Sequence, residues 1–201
     1  MTARARPGQG VDRGSEAAPL EARFGAASNA VRDEFERFPS ATWIARSRRL
    51  SDTIFARLAR RLDAGLRFGV AARLEDRSGR ILLVRMAKRH AWTPDWMVPG
   101  GGAEPGETPR HAVNREIHEE TGGRAVQLAL WKVYHETLLG PRGRSAQWEF
   151  LQYVGRWGGG VPRPRVPEEI EEARWFRRLP SATAFRSDWL RPPRNRRSSR
   201  A

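Results

Sequence analysis

The chain has no cysteine and almost no lysine. Without cysteine, disulfide bonds and thiolate zinc sites are excluded. Lys88 and Lys132 are the only lysines among 37 basic residues, and 23 acidic residues leave a formal net charge of +14. Because arginine supplies nearly all of this charge, we expect a strongly cationic surface.

Long hydrophobic runs are also missing. No stretch approaches the roughly 20 apolar residues of a membrane-spanning helix. Residues 1–18 lack the continuous apolar core of a secretory signal. We therefore expect a soluble cytoplasmic protein, and 201 residues allow one domain of ordinary size with extensions.

The two ends of the chain have little apolar periodicity. Residues 1–22 are rich in glycine, proline, alanine and arginine, which predicts a disordered N-terminus. Residues 191–201 combine arginine with proline and contain no acid. This tail is also predicted to be disordered, and weak contact with nucleic-acid phosphates is an open alternative for it.

A basic helical extension is predicted over residues 23–66. A weak helical pattern runs from Phe24 to Phe38. One interpretation of the stronger pattern that follows is a helix that binds nucleic acid or an anionic membrane surface. We favour a helix packed on the domain or on a partner subunit, which leaves a homodimer open. Apolar residues of the stronger pattern are Trp43, Ile44, Leu50, Ile54, Phe55, Leu58, Leu62 and Leu66.

The main globular domain is predicted over residues 67–190. Its apolar runs are short and are separated by glycine-rich or proline-rich turns, as in a sheet. Strands around one conspicuous helix predict an α/β sandwich. Strands are expected over 68–74, 80–86, 124–136, 147–157 and 173–176, and a last short helix over 179–190.

A glycine-rich loop leads into that conspicuous helix. Residues 99–102 read Pro-Gly-Gly-Gly, a turn signal. Thr108 stands at an N-cap position and Pro109 at the first helical position, where a missing N–H costs nothing. Gly122 and Gly123 end the pattern, so the helix is predicted from Pro109 to about Thr121.

An acidic cluster distinguishes this helix. Glu116, Glu119 and Glu120 project from one face, where like charges repel. A solvated acidic surface would explain three glutamates alone. Beside a glycine loop, they also suit Mg²⁺, which binds carboxylate and carbonyl oxygens. Arg115 is placed to reach Glu119 and Glu107, which would hold the loop against the helix.

Together these residues resemble the Nudix box. The last position of the box is usually a bulky aliphatic residue, and here it is Gly123. We expect Val126 to fill the resulting gap. The matching positions are Gly101, Glu107, Arg115-Glu116-Ile117, Glu119-Glu120 and Gly122.

The resemblance implies a Nudix-type α/β/α sandwich with a mixed β-sheet. It also implies Mg²⁺-dependent hydrolysis of a phosphoanhydride bond in a nucleoside diphosphate linked to another moiety, with Mn²⁺ as a substitute ion. Glu116 and Glu120 would be the principal metal ligands, with Glu119 binding directly or through water. The Gly102 carbonyl would be a backbone ligand. In this family Glu107 and Arg115 would orient the carboxylates.

The general base and the substrate contacts lie partly outside the box. In such proteins the base is a box glutamate, here Glu119 for example, or a glutamate on a later loop. Gly100 and Gly101 would let the backbone approach the substrate. The later-loop candidates are Glu168, Glu169, Glu171 and Glu172; phosphate candidates are Arg85, Lys88, Arg89 and His90; base-stacking candidates are Trp92, Trp96, Tyr134 and Trp148, although aromatics in strands are more often core.

Two other functions stay open at this stage. The chain could be a Nudix-fold protein that binds nucleic acid or regulates, although no box carboxylate is lost. It could also hydrolyse the 5′ end of an RNA, with the arginines steering the polymer. A small nucleotide is the substrate that we favour.

Overall fold

The computed structural model describes residues 28–88, 96–184 and Trp189. Seven strands of this part form one sheet, and three α-helices accompany it. The strands are β1 (Thr42–Arg49), β2 (Phe68–Glu75), β3 (Ile81–Met86), β4 (Gly100–Gly102), β5 (Ala125–Leu139), β6 (Ser145–Trp157) and β7 (Ile170–Phe176). The helices are α1 (Asn29–Glu36), α2 (Asp52–Asp63) and α3 (Pro109–Thr121), and a short 3₁₀ helix covers Pro141–Gly143.

The sheet is mixed. Its order is β1-β5-β6-β2-β3-β7, and the short β4 pairs with β2. β1 runs parallel to β5 and β2 runs parallel to β6, whereas the other pairs are antiparallel. This arrangement confirms the predicted α/β fold with a mixed sheet.

Two apolar clusters form the core. The larger one packs α1 and α3 against the sheet, and Val31, Ile117 and Val133 are completely buried in it. The smaller one contains Leu83 and Trp131 and is covered by residues 96–98 and 179–189 where these are described. In the described residues, no helix is long and apolar enough to span a bilayer.

The helix predicted from Trp43 to Leu50 is wrong, because this stretch forms β1. β1 pairs in parallel with β5 over its whole length, from Thr42 opposite Lys132 to Arg49 opposite Leu139. A short apolar run fits both the strand and the helix period, and the sequence pattern did not separate them. The later part of the predicted pattern does form α2. The N-terminal segment therefore contributes a strand to the domain's sheet, while the domain boundaries remain a prediction.

Smaller differences concern element ends. The first helix begins after Ser28, whose hydroxyl accepts a hydrogen bond from the Val31 N–H. The helix predicted over 179–190 is absent from 179–184, where Thr183 instead bridges Trp96. Residues 185–188 and 190, and the two ends predicted to be disordered, lie outside the described residues.

Candidate active site: an acidic helix against a glycine strand

α3 forms as its sequence predicts. The Thr108 hydroxyl accepts from the His111 N–H at 3.3 Å, and Pro109 occupies the first turn. Val113 and Ile117 are completely buried and fix the helix on the sheet. Gly122 ends the helix with a φ of 69°, a left-handed conformation that glycine adopts without strain. The carboxylates of its last turns are thereby directed towards β4.

The glycines of β4 allow this helix to approach closely. The Gly100 N–H donates to Oε2 of Glu120 at 2.8 Å. A methyl group added at Gly100 would collide with the backbone of β2, and one added at Gly101 would overlap the carboxylate of Glu116. Glycine is therefore favoured at position 100 because the strand lies against the backbone of β2, and at position 101 because the carboxylate of Glu116 packs directly on the strand.

Arg115 is the central cation of the site. Its Nε and Nη2 donate to the two oxygens of Glu107, each at 3.0 Å. Its Nη1 donates to Glu116 and to Glu119, again at 3.0 Å. These bonds confirm the predicted contact of Arg115 with the loop and with Glu119. Nη2 also donates to the Gly102 carbonyl at 3.0 Å, so the carbonyl expected to bind metal is held by Arg115 here.

The electrostatics of the carboxylates differ along the helix. Burial raises the pKa of Glu120 well above its usual range, and the neighbouring Glu116 adds to the rise. Burial also raises the pKa of Glu116, although Arg115 opposes it. Burial acts in the same direction on Glu107, but the hydrogen bonds from Arg115 hold its pKa below the usual range. A buried carboxyl with a raised pKa gains most from a nearby cation.

The donor set fits Mg²⁺ chemically. Glu116 and Glu120 present oxygen ligands on the same surface of β4, and the two charges raise each other's cost when no cation separates them. In the part of the chain that the structure describes, no three acidic or histidine side chains already surround one point as a metal cage. Arg115 draws Glu116 and Glu119 to itself, so both would have to turn in order to bind an ion.

Among the loop glutamates, Glu169 approaches the acidic cluster. Its charge contributes to the raised pKa of Glu120, and its carbonyl accepts from the Ala87 N–H at 2.7 Å. Glu171 and Glu172 instead receive hydrogen bonds from Arg85, at 3.2 and 2.9 Å. The loop before them is tied to the end of α3, because the Arg163 and Arg165 N–H groups donate to carbonyls of Thr121 and Glu119.

The candidate substrate-binding residues have different surroundings in the structure. Arg85 is engaged with the two loop glutamates, and its guanidinium lies 5.0 Å from the centre of the Trp96 ring. Trp96 packs edge-on against Phe176, with 4.7 Å between the rings. Tyr134 and Trp148 are buried in the sheet, as the favoured core interpretation holds. Lys88 is exposed. Arg89, His90 and Trp92 lie outside the described residues.

The unusual glycine at the end of the box has a packing reason that differs from the expected one. Val126 does not fill the space, since 41% of its surface is exposed. Trp157 of β6 lies against Gly123 so closely that a methyl group there would overlap its ring. Its indole N–H donates to the Gly160 carbonyl at 2.8 Å. A large side chain from another strand thus takes the place of the aliphatic residue.

One residue at the site was missed by the sequence analysis. A methyl group added at Gly102 would lie 2.8 Å from Nη1 of Arg61, so the guanidinium of Arg61 covers this glycine. Arg61 belongs to α2, where it looked like one of several solvent-facing arginines. Only the tertiary placement of the helix distinguishes it from its neighbours.

Comparison with known proteins identifies the class. A family model described as the NUDIX domain matches residues 65–183. Because the match covers more than half of the chain, the chain belongs to this family. The expected Nudix-type sandwich is therefore confirmed.

Curated relatives and a solved structure are similar to parts of this chain. The 8-oxo-dGDP phosphatase NUDT18 of Homo sapiens is 30% identical over 129 residues, which cover 63% of this chain and 37% of that protein. An RNA pyrophosphohydrolase of Rhodopseudomonas palustris is 35% identical over 72 residues, covering 30% of this chain and 41% of the relative. The chain thus spans less than half the length of either relative. A MutT NUDIX hydrolase of Burkholderia pseudomallei is 32% identical with a TM-score of 0.46, covering 55% of this chain and 81% of that one.

Proposed function

We propose that the protein is a Mg²⁺-dependent nucleotide pyrophosphohydrolase, with Mn²⁺ as a substitute ion. One observation carries this proposal: Glu120 is buried, and the charged groups that raise its pKa are the carboxylates Glu116, Glu169 and Glu119. Arg115 binds only Glu116 and Glu119 of this cluster, and a buried carboxylate such as Glu120 is costly unless a cation also binds near it. The proposed substrate is a small nucleoside diphosphate linked to another moiety, and the proposed location is cytoplasmic.

Each residue of the site has a proposed task. Glu116 and Glu120 would hold the ion, with Glu119 and the Gly102 carbonyl as further ligands, and the ion would neutralise the diphosphate and activate a water. The Gly100 N–H fixes one oxygen of Glu120. Arg115 is held by hydrogen bonds to both oxygens of Glu107, and from this position it would orient the carboxylates of Glu116 and Glu119.

Glu169 is the proposed general base, with Glu119 as the box alternative. Glu169 faces the cluster from the loop that precedes β7, and the hydrogen bond to its carbonyl fixes its backbone. Glu171 and Glu172 are less suited, because Arg85 already engages them. A base must come within hydrogen-bond reach of the attacking water, and the carboxylate of Glu169 would do so when substrate is bound.

The proposed substrate contacts come from β4, from β3 and from Trp96. The backbone of Gly100 and Gly101 would lie along the diphosphate, since neither residue has a side chain in the way. Arg85 of β3 and the neighbouring Trp96 would contact the rest of the substrate. For Arg85, this requires release from Glu171 and Glu172.

The RNA alternative draws on the arginine-rich composition and on the relatives named RNA pyrophosphohydrolase. A polymer would contact many arginines, so its affinity should fall steeply with salt, whereas a small nucleotide should show little salt dependence. Removing residues 191–201 should weaken the binding of RNA and leave the binding of a small nucleotide unchanged. A Nudix-fold binding or regulatory protein would show this affinity without hydrolysis.

The first experiment is phosphate release from a panel of nucleotides, nucleotide sugars and 5′-triphosphate RNA, with Mg²⁺ or Mn²⁺. Pyrophosphatase is the coupling enzyme for the triphosphates, and alkaline phosphatase is the coupling enzyme for the nucleotide sugars, because their cleavage gives two phosphomonoesters. Wild type and Glu120→Gln are compared on every substrate. One substrate cleaved by wild type and not by the variant supports the proposal and names the substrate class. Equal release by both proteins would sink the ligand assignment, and silence across the panel would favour a binding protein.

A further inference from the structure

An arginine outside the family segment reaches the candidate site. Residues 65–183 match the family model, whereas Arg61 lies before them in α2. Nη1 of Arg61 nevertheless lies 2.8 Å from where a methyl group on Gly102 would stand. The charge of Arg61 also acts on Glu116, where it opposes the rise in pKa that burial causes. The guanidinium of Arg61 therefore lies close to Gly102 on β4 and acts electrostatically on Glu116 of α3.

The start of α2 is anchored to the sheet. The Ser51 hydroxyl accepts from the Ile54 N–H at 3.4 Å and caps the helix. Phe55 is 3% exposed, and its ring packs against Gly140 after β5. Leu58 and Leu62 are half-buried on the same helical stripe. The helix is thus placed by apolar packing rather than by the arginine itself.

The end of α2 is fixed close to Arg61. Gly65 adopts a φ of +85°, the Gly65 N–H donates to the Leu62 carbonyl, and the Leu66 N–H donates to the Arg61 carbonyl, both at 3.0 Å. This is a Schellman motif, which sets the direction in which the chain leaves the helix. β2 starts three residues after Gly65, at Phe68, and pairs with β4. A short, ordered connection therefore joins Arg61 to the glycine strand.

The guanidinium of Arg61 is available for a ligand. Its residue is exposed, and among the residues that the structure describes no hydrogen bond or ion pair holds its side chain. Arg115, by comparison, donates hydrogen bonds to three glutamates and to the Gly102 carbonyl. The site thus contains one arginine that is fully engaged and one whose five donors have no hydrogen-bond partner among the described residues.

We propose that Arg61 binds the phosphate oxygens of the substrate, so that the N-terminal extension completes the active site. The inference rests on the proposed function. An anion held by a metal on Glu116 would lie beside β4, which is where the guanidinium of Arg61 stands. A guanidinium presents paired donors that match phosphate oxygens, and a lysine at this position would offer only a point charge.

The test compares Arg61→Ala and Arg61→Lys with Arg57→Ala and Arg60→Ala, which remove exposed arginines from the same helix. KM and kcat are measured on the substrate found in the panel. Binding of an α,β-methylene nucleoside diphosphate, whose carbon bridge resists hydrolysis, is measured by calorimetry with Mg²⁺. The Mg²⁺ concentration for half-maximal activity and the unfolding midpoint are recorded for every variant.

Arg61→Ala should weaken binding of the analogue and raise KM by about 10- to 100-fold, as expected for loss of charge-assisted hydrogen bonds. Arg61→Lys should recover part of the loss, and the two control variants should match wild type. The Mg²⁺ requirement and the unfolding midpoint should not change. If Arg61→Ala matched the controls, or if it lowered the Mg²⁺ requirement because Arg61 only substitutes for the cation, the inference would be overturned.

The two proposals fail in different ways. Hydrolysis that Glu120→Gln abolishes and Arg61→Ala leaves intact would keep the proposed function and remove the role of Arg61. Analogue binding that depends on Arg61, in a protein that hydrolyses nothing in the panel, would keep the phosphate site and remove the hydrolase.

Discussion

Glu120 and Glu136 are both buried carboxylates, with 8% and 4% of their surfaces exposed. The charged neighbours of Glu136 are arginines, whereas those that act on Glu120 are other glutamates. Glu136 on β5 receives a hydrogen bond of 2.6 Å from Arg46 and one of 3.3 Å from Arg48, both on β1. Glu120 on α3 receives one backbone N–H bond, and the charges that raise its pKa are those of other glutamates.

The comparison separates a carboxylate that is paired within the fold from a proposed metal ligand. At Glu136 the protein supplies its own cations, so the site is complete once the strands pair. Among the described residues, Arg115 bonds Glu116 and Glu119 but not Glu120. The burial cost of Glu120 is therefore not offset there by contact with a protein cation, which is what a binding site for a dissociable ion requires. In an arginine-rich chain this contrast is informative, because a neutralising arginine is easily available.

The largest expected effect is on catalysis. Glu120→Gln should lower kcat/KM by at least about a hundredfold, because a neutral amide binds Mg²⁺ poorly. Glu136→Gln, the same substitution at the other buried carboxylate, should leave kcat/KM unchanged. Steady-state kinetics at saturating Mg²⁺ provide the measurement, and similar losses in both variants would erase the distinction between the two sites.

Metal removal should show the next largest effect. Mg²⁺ at a hundred times its dissociation constant should stabilise wild type by about 2.7 kcal/mol, and chelation should reverse this. Glu136→Gln should keep the metal-dependent part of its stability, whereas Glu120→Gln should lose it. Thermal unfolding with EDTA and with Mg²⁺ tests this, and a metal shift that persists in Glu120→Gln would contradict the ligand assignment.

A third buried carboxylate, Glu149, extends the comparison because its ionisation makes the stability of the fold depend on pH. Burial raises the pKa of Glu149 from 4.5 to about 7, and burial lowers the pKa of the adjacent His135, so the imidazole adds no charge near neutral pH. The neutral carboxyl stabilises the fold fully below pH 4.5, and this contribution is lost as the pH rises through 7.

Glu149→Gln should therefore become more stable than wild type as the pH rises, by about 2 kcal/mol at pH 8. Urea unfolding at pH 5 and pH 8 gives the two differences. A gain of equal size at both pH values would mean that ionisation of Glu149 is not its source.

The smallest effect belongs to the arginine-paired site. Glu136→Gln should lower the free energy of unfolding by about 1 kcal/mol, because Arg46 and Arg48 are partly exposed and water replaces part of the lost interaction. Arg46→Ala with Arg48→Ala should cost more than Glu136→Gln, since it leaves the carboxylate buried without its cations. Urea unfolding near pH 7 measures both losses, and a larger loss for Glu136→Gln than for the double arginine variant would contradict this prediction.

Sequence alone predicted the parts of this molecule that depend on local chemistry. Thr108, Pro109 and Gly122 specify the ends of α3 through backbone capping, and the contacts of Arg115 follow from helical spacing and a short loop. The mixed sheet was predicted through the family resemblance. Residues 100–102, predicted as part of a turn, instead form the short strand β4.

The parts that it missed depend on distant packing. β1 looked helical because its apolar residues suit either period, and its pairing with β5 is invisible in the local pattern. Trp157, which fills the space beside Gly123, lies on a different strand from the one expected. Arg61 was one arginine among many until α2 had a position. Each miss concerns residues that are far apart in sequence and adjacent in space.

The parallel pairing of β1 with β5 also sets the order of assembly. Arg46 and Glu136 are 90 positions apart, so the first strand cannot pair until β5 has left the ribosome. Until then its apolar residues and backbone groups stay exposed, which makes this segment the natural client of a chaperone during synthesis. A nascent chain released before β5 would lack both the strand that pairs with β1 and the β5 residues of the core cluster that holds α3.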